Sequence, residues 1–187
     1  MTGVMMGSTF DYVPVRLTKA YREAQADEKF QGWLKMQEAA VDIEFIIEDL
    51  PEIRDSMYTK DSLETVEATL IELYPDDRTA YEGDENIHRT MRYVFYIGET
   101  FRRAFEGTWA ALPADGPKSK PAASRPAIDL PFGEGFILPS DLIGLALYHR
   151  SGTEITFVFG RMEKLHAKWV EEGRPERVFR GTLREDD

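Results

Sequence analysis

The sequence predicts an α+β domain that is predominantly helical, with about five helices and a short β-hairpin around residues 108–131. Three observations lead there. Apolar residues recur at helical spacing from Phe30 to Ile46, from Leu63 to Leu73 and from Ile87 to Phe105. Pro51, Pro75 and Gly107 punctuate those stretches. Beyond Gly107 the pattern changes to short extended runs, Trp109–Leu112 and Ile128–Leu130. At 187 residues, with no internal repeat and no second apolar set, residues 1–187 read as one domain.

Residues 1–15 read as a mobile start running into an extended Tyr12-Val13-Pro14-Val15. Thr18 is placed to cap a helix that continues, with a break near Asp27, to Leu50. Its apolar residues are Phe30, Trp33, Leu34, Met36, Val41, Phe45 and Ile46, and Pro51 ends it by pushing the preceding residue out of the α region. A second helix begins at Asp61, with Glu64 three residues on as in a capping box, and Pro75 stops it. The third starts at Asp84 and carries the stripe Ile87, Met91, Val94, Gly98, Phe101 and Phe105. A helix-interior glycine costs about 1 kcal/mol relative to alanine, so Gly98 predicts the close approach of a neighbouring backbone.

The hairpin encloses a long mobile loop, 113–127, rich in Pro, Ala and Ser and carrying Lys118, Lys120 and Arg125. Phe132-Gly-Glu-Gly-Phe136 reads as a turn. Ser140 caps a helix reaching about Arg150, and Ser151-Gly152 ends it. Residues 154–160 fit a strand by composition. Because the stripe Ile155, Val158, Phe159, Met162, Leu165, His166, Trp169 continues past them, helix is the reading adopted, ending at Gly173. Residues 174–187 read as a mobile tail.

The formal charge of −11 is unevenly placed. Residues 38–85 hold 16 Asp and Glu against Arg54, Lys60 and Arg78, a net of −13, and the remainder of the chain is close to neutral. A negative field repels phosphate, so neither nucleic acid nor an anionic membrane is expected as a partner; a basic protein is. Solvated helix faces are the structural alternative for such a run. No apolar run approaches the roughly 20 residues of a membrane helix, and the N-terminal residues lack a signal peptide's basic and apolar regions, so a cytoplasmic protein is expected. The absence of cysteine excludes disulfides and thiolate chemistry.

Chemistry-bearing patterns are few. His88, Arg92, Glu99 and Arg103 project within roughly 60° of one another on the third helix and form the one candidate catalytic set, for a small enzyme or ligand-binding domain. The bland alternative on the same helix is a ladder of exposed surface pairs, Glu85–Arg89 and Glu99–Arg102/Arg103. His88, His149 and His166 lie on different predicted helices, so no metal site is expected; His166 reads as a core histidine with one hydrogen bond. Nucleophile elbows and glycine-rich phosphate loops are absent, and no cofactor is expected. The aromatic cluster Tyr93, Phe95, Tyr96, Phe101, Phe105, Trp109 reads mainly as core. Tyr96 projects off the stripe as an exposed contact residue, and a homodimer through the aromatic-rich helices is a further expectation.

The run Tyr96-Ile-Gly98-Glu99-Thr-Phe-Arg102-Arg103-Ala-Phe-Glu-Gly107-Thr-Trp109 resembles a pattern in poorly characterised small bacterial proteins, some assigned as immunity proteins of toxin systems. The resemblance covers about 14 residues and rests on Gly98, Glu99, Arg103, Gly107 and Trp109. It implies an α+β domain without established enzyme chemistry, in which Glu99 and Arg103 tie the helix end to the following hairpin. The functional expectation is therefore a non-enzymatic, immunity- or antitoxin-like interaction module. Asp42, Glu48, Asp49, Glu52, Asp55 and Tyr96 would meet its basic partner.

Overall fold

A computed structural model describes residues 14–113 and 124–179. After a 3-10 turn at Val15–Leu17 come α1 (Lys19–Gln25), α2 (Glu28–Ala40), a π-helical segment (Val41–Asp49), a second 3-10 turn (Pro51–Ser56), α3 (Lys60–Leu73), α4 (Asp77–Ala80) and α5 (Asp84–Ala104). Strands β1 (Thr108–Leu112), β2 (Arg125–Asp129) and β3 (Phe136–Ile137) follow, then α6 (Pro139–His149) and α7 (Glu154–Glu171). The class is the α+β one predicted, with more than five helices because the first splits at Asp27 and α4 forms between Pro75 and Gly83.

The break at Asp27 has a local cause: its carboxylate accepts from the Lys29 N–H and caps α2, as the Thr18 hydroxyl caps α1 through the Tyr21 N–H. At α3 the cap is Thr59, which accepts from Ser62 N–H, and not Asp61. At α6, Pro139 occupies the first turn, where its missing N–H costs nothing, and Ser140 makes no cap. Residues 154–160 are helical, within α7.

Helix α5 runs through the centre of the molecule and packs against α2, α3, α4, α6, the π-helical segment, β1 and β2. From Tyr93 to Phe101 every residue is buried. A helix enclosed on all sides has no solvent face, so Tyr96, placed off the apolar stripe by its spacing, is fully buried nonetheless. Its hydroxyl lies 2.7 Å from Ser62 Oγ and accepts from Tyr58 N–H at 2.8 Å. Tyr96 is therefore not a partner-contact residue. Tyr93, Phe101 and Phe105 are buried with it, so α5 presents no aromatic face to a second copy.

Gly98 is explained by a side chain rather than a backbone: a Cβ there would meet the indole of Trp109, with Cζ2 at 2.8 Å and Cη2 nearer still. The sheet is antiparallel throughout, in the order β1-β2-β3, with Thr108 opposite Asp129 and Leu112 opposite Arg125. Strand β3, which pairs Phe136 with Asp129, was not foreseen in the turn 132–136. The free edge of β1 is closed by the Gln25 amide, which donates to Ala111 O at 2.8 Å and accepts from Ala111 N–H at 2.9 Å.

Asp129 fastens both ends of the described chain. It accepts from Arg16 at 2.9 Å and from Arg177 at 2.9 Å, and Arg174 pairs with Glu106 at 2.9 Å. Residues 174–179 are held by these contacts, which corrects the expectation of a mobile tail from Arg174. The rest of that tail, 180–187, most of the mobile start, 1–13, and the loop residues 114–123 lie outside the described residues, while 125–127 belong to β2 rather than to a loop.

Candidate functional site

The four residues of the catalytic alternative share a helix but not a site. His88 is exposed, and it is not in the wall of the cavity beside Glu99. Arg92 turns toward the π-helical segment, donating through Nε and Nη2 to both oxygens of Asp49, the latter at 3.0 Å, and through Nη1 to Glu44 at 2.8 Å. The bidentate grip on Asp49 raises the Arg92 pKa further. Two turns on, Glu99 accepts from Arg102 at 2.7 and 2.8 Å, from Arg103 at 2.7 Å and from Trp109 Nε1 at 3.1 Å. Burial pushes the Glu99 carboxyl up, but those donors outweigh it and hold the group below its ordinary value.

Glu99 is thus a saturated, ionised anchor between the end of α5 and β1. Arg103 also lies 3.9 Å over the Tyr58 ring, whose phenol burial pushes up to about 12. Gly107 completes the corner, since a Cβ there would meet Ile128 Cγ2 at 2.8 Å. The small cavity beside Glu99, about 230 Å³, has Arg102 and Arg103 in its wall, and both guanidiniums already bond this carboxylate. Gly98, Glu99, Arg102, Arg103, Gly107 and Trp109 build the fold at this point.

The histidines stay apart. His149 pairs with Glu154 at 2.9 Å; His166 pairs with Glu106 at 3.1 Å while packing on Phe105, Phe132 and Trp169, half-buried rather than in the core. Among the described residues no group of three or more His, Asp or Glu comes together to hold a metal ion.

The acidic segment divides. Asp49, with its side chain 5% exposed, is bonded by Arg92 and approached by Arg89 at 3.5 Å, so it belongs to the interior and not to a partner surface. Glu67 is fully buried in α3 and accepts from the N–H groups of Glu154 and Ile155, capping α7 from another helix. Asp42, Glu48, Glu52 and Asp55 are exposed and enter no ion pair among the described residues. They follow one another along the π-helical segment and the 3-10 turn after it.

Between these carboxylates lies apolar surface that the sequence reading missed. Ile43 is 64% exposed and Ile47 56%, and Met36, expected on the buried face of α2, is 56% exposed. The signal was present in Val41-Asp-Ile-Glu-Phe-Ile-Ile47, which has more apolar residues than one helix face can bury. Val41, Phe45 and Ile46 take the inside. In a π-helix residues five apart are neighbours, so Glu48 flanks Ile43 and Asp42 flanks Ile47.

A second feature is a cleft of about 710 Å³ where α2, α5, β2 and the start of α6 meet, walled by Phe30, Trp33, Met91 and Val94. Its rim carries Lys29 and Arg125, the latter paired with Asp141. Among the described residues no helix is long and apolar enough to cross a membrane. Comparison with known proteins finds no family model, no curated sequence and no solved structure that matches this chain.

Proposed function

We propose that this chain is a protein-interaction module without catalytic activity, of the immunity-like kind, acting in the cytoplasm on a basic protein partner such as a toxin or nuclease whose active site it covers. The observation that carries the reading is the row of exposed carboxylates Asp42, Glu48, Glu52 and Asp55, free of ion pairs among the described residues. Asp49 and Glu44 are held by Arg92, Glu85 by Arg89 and Glu67 by the end of α7, while Glu38, Asp61, Glu64, Glu72, Asp77, Glu82 and Asp84 are also exposed and enter no ion pair among the described residues. Exposed unpaired carboxylates close together in sequence raise the rate of encounter with a cationic surface and disfavour nucleic acid and anionic membrane.

The test is affinity capture from a native lysate at low and at high salt. The wild-type chain is compared with Asp42→Asn, Glu48→Gln, Glu52→Gln and Asp55→Asn combined. A basic protein retained by the wild type at low salt, released by salt and lost from the combined variant is the expected result. Equal retention by both chains, or retention of no basic protein, contradicts the reading.

A further inference from the structure

We infer that the exposed ridge Met36–Ile43–Ile47 receives an amphipathic helix of the partner, apolar on the face that meets the ridge and carrying Lys or Arg along its edges. The inference rests on the reading of a basic partner and names the part of that partner that binds.

The ridge is continuous. At about 100° per residue, Gly32, Met36 and Ala39 fall within roughly 60° of arc on the outer side of α2, and Ile43 follows them in the first turn of the π-helical segment. Ile47 extends that line one turn into the π-helical segment. All five are exposed, and a Cβ on Gly32 would meet nothing within 4 Å, so that end of the ridge is open. Small residues between large ones leave a groove into which the ridge of a second helix fits. Among the described residues nothing covers the two isoleucines, and Val41, Phe45 and Ile46 already supply the buried face of the same segment. The segment is also nine residues of π-helix, a conformation that is rare and concentrated at functional sites.

Charge chooses the occupant. Asp42 and Glu48 stand beside Ile47 and Ile43, and Glu52 and Asp55 continue in the next turn. A second copy carries the same formal charge of −11 and the same carboxylates beside the ridge, and that repulsion opposes a symmetric dimer here. A helix with basic edges places ammonium or guanidinium groups against them while its apolar face covers the isoleucines. Lys35, exposed at the other end of the ridge, sets the direction: the cations of the occupant lie toward Glu48 and not toward Lys35.

The probe is a synthetic peptide of about 18 residues with leucine on one helical face and lysine on the other, titrated into the full-length chain by fluorescence anisotropy. A peptide with glutamate in place of lysine is the control. The lysine peptide binds and the glutamate peptide does not. Ile43→Ser and Ile47→Ser each weaken binding about ten-fold, with only a small change in melting temperature because both side chains are more than half exposed. Asp42→Asn with Glu48→Gln removes the salt dependence. Wild-type binding by both serine variants overturns the ridge while leaving the acidic-face reading standing. Equal binding of the glutamate peptide overturns both. Sedimentation showing a dimer that Ile43→Ser dissolves assigns the ridge to a second copy and overturns the proposal.

Discussion

Alanine at position 98 would place its Cβ against the Trp109 indole, 2.8 Å from Cζ2, in a helix that is buried on every side. Gly98→Ala is expected to lower stability by about 1–3 kcal/mol in urea unfolding, and by less in a chain that already carries Trp109→Leu, because the two positions share one contact. Glu99 is the companion case. Its folded pKa lies below the ordinary value, so the stability it lends is complete above the unfolded value near about 4.3 and is lost as pH falls through the folded one. Glu99→Gln should cost about 2 kcal/mol at neutral pH, with the gap between variant and wild-type unfolding midpoints closing in acid. Glu99 with Arg102 and Arg103 was legible in the sequence because i,i+3 and i,i+4 pairs are local. The partners of Arg92, 43 and 48 positions away, were not, since spacing on one helix carries no information about which helix crosses it.

Helices here are finished by residues of other helices. Glu67 sits at a position of α3 that follows the apolar spacing Leu63, Val66, Leu70, and that misfit was the readable sign of its task at the start of α7. Arg150, in a left-handed conformation at φ 53°, does the reverse. Its guanidinium donates to Ile71 O at 2.6 Å, Tyr74 O at 2.9 Å and Pro75 O at 3.0 Å and closes the end of α3. Glu67→Ala leaves the buried Ile155 N–H and the half-buried Glu154 N–H without this acceptor and is expected to cost about 1–3 kcal/mol, with a smaller loss for Glu67→Gln; chemical denaturation measures both. Arg92→Ala leaves the buried Asp49 carboxylate with only the more distant Arg89 and should cost about 2 kcal/mol, loosening the π-helical segment in hydrogen exchange before the rest of the fold. Helix limits were legible wherever a proline or a turn glycine set them, as at Pro51, Pro75 and Gly173. The π-helical segment was not, because its apolar residues also satisfy an α-helical period over one turn.

At the scale of the molecule, the charge imbalance was countable from composition, but which acids remain available depended on pairing across the fold. Folding draws Asp49, Glu44 and Glu67 into contacts and leaves Asp42 and Glu48 outside beside two exposed isoleucines, with Glu52 and Asp55 exposed in the turn that follows. A partner selected by charge, as proposed, associates at a rate that depends on salt. The direct measurement is the association rate of the captured partner as ionic strength rises from about 0.05 M to about 0.5 M, where screening shortens from more than 10 Å to a few ångströms. The wild-type rate should fall by about ten-fold or more, and the chain with all four carboxylates neutralised should bind slowly and almost independently of salt. A wild-type rate that ignores salt, or a neutralised chain that associates as fast, would contradict selection by charge.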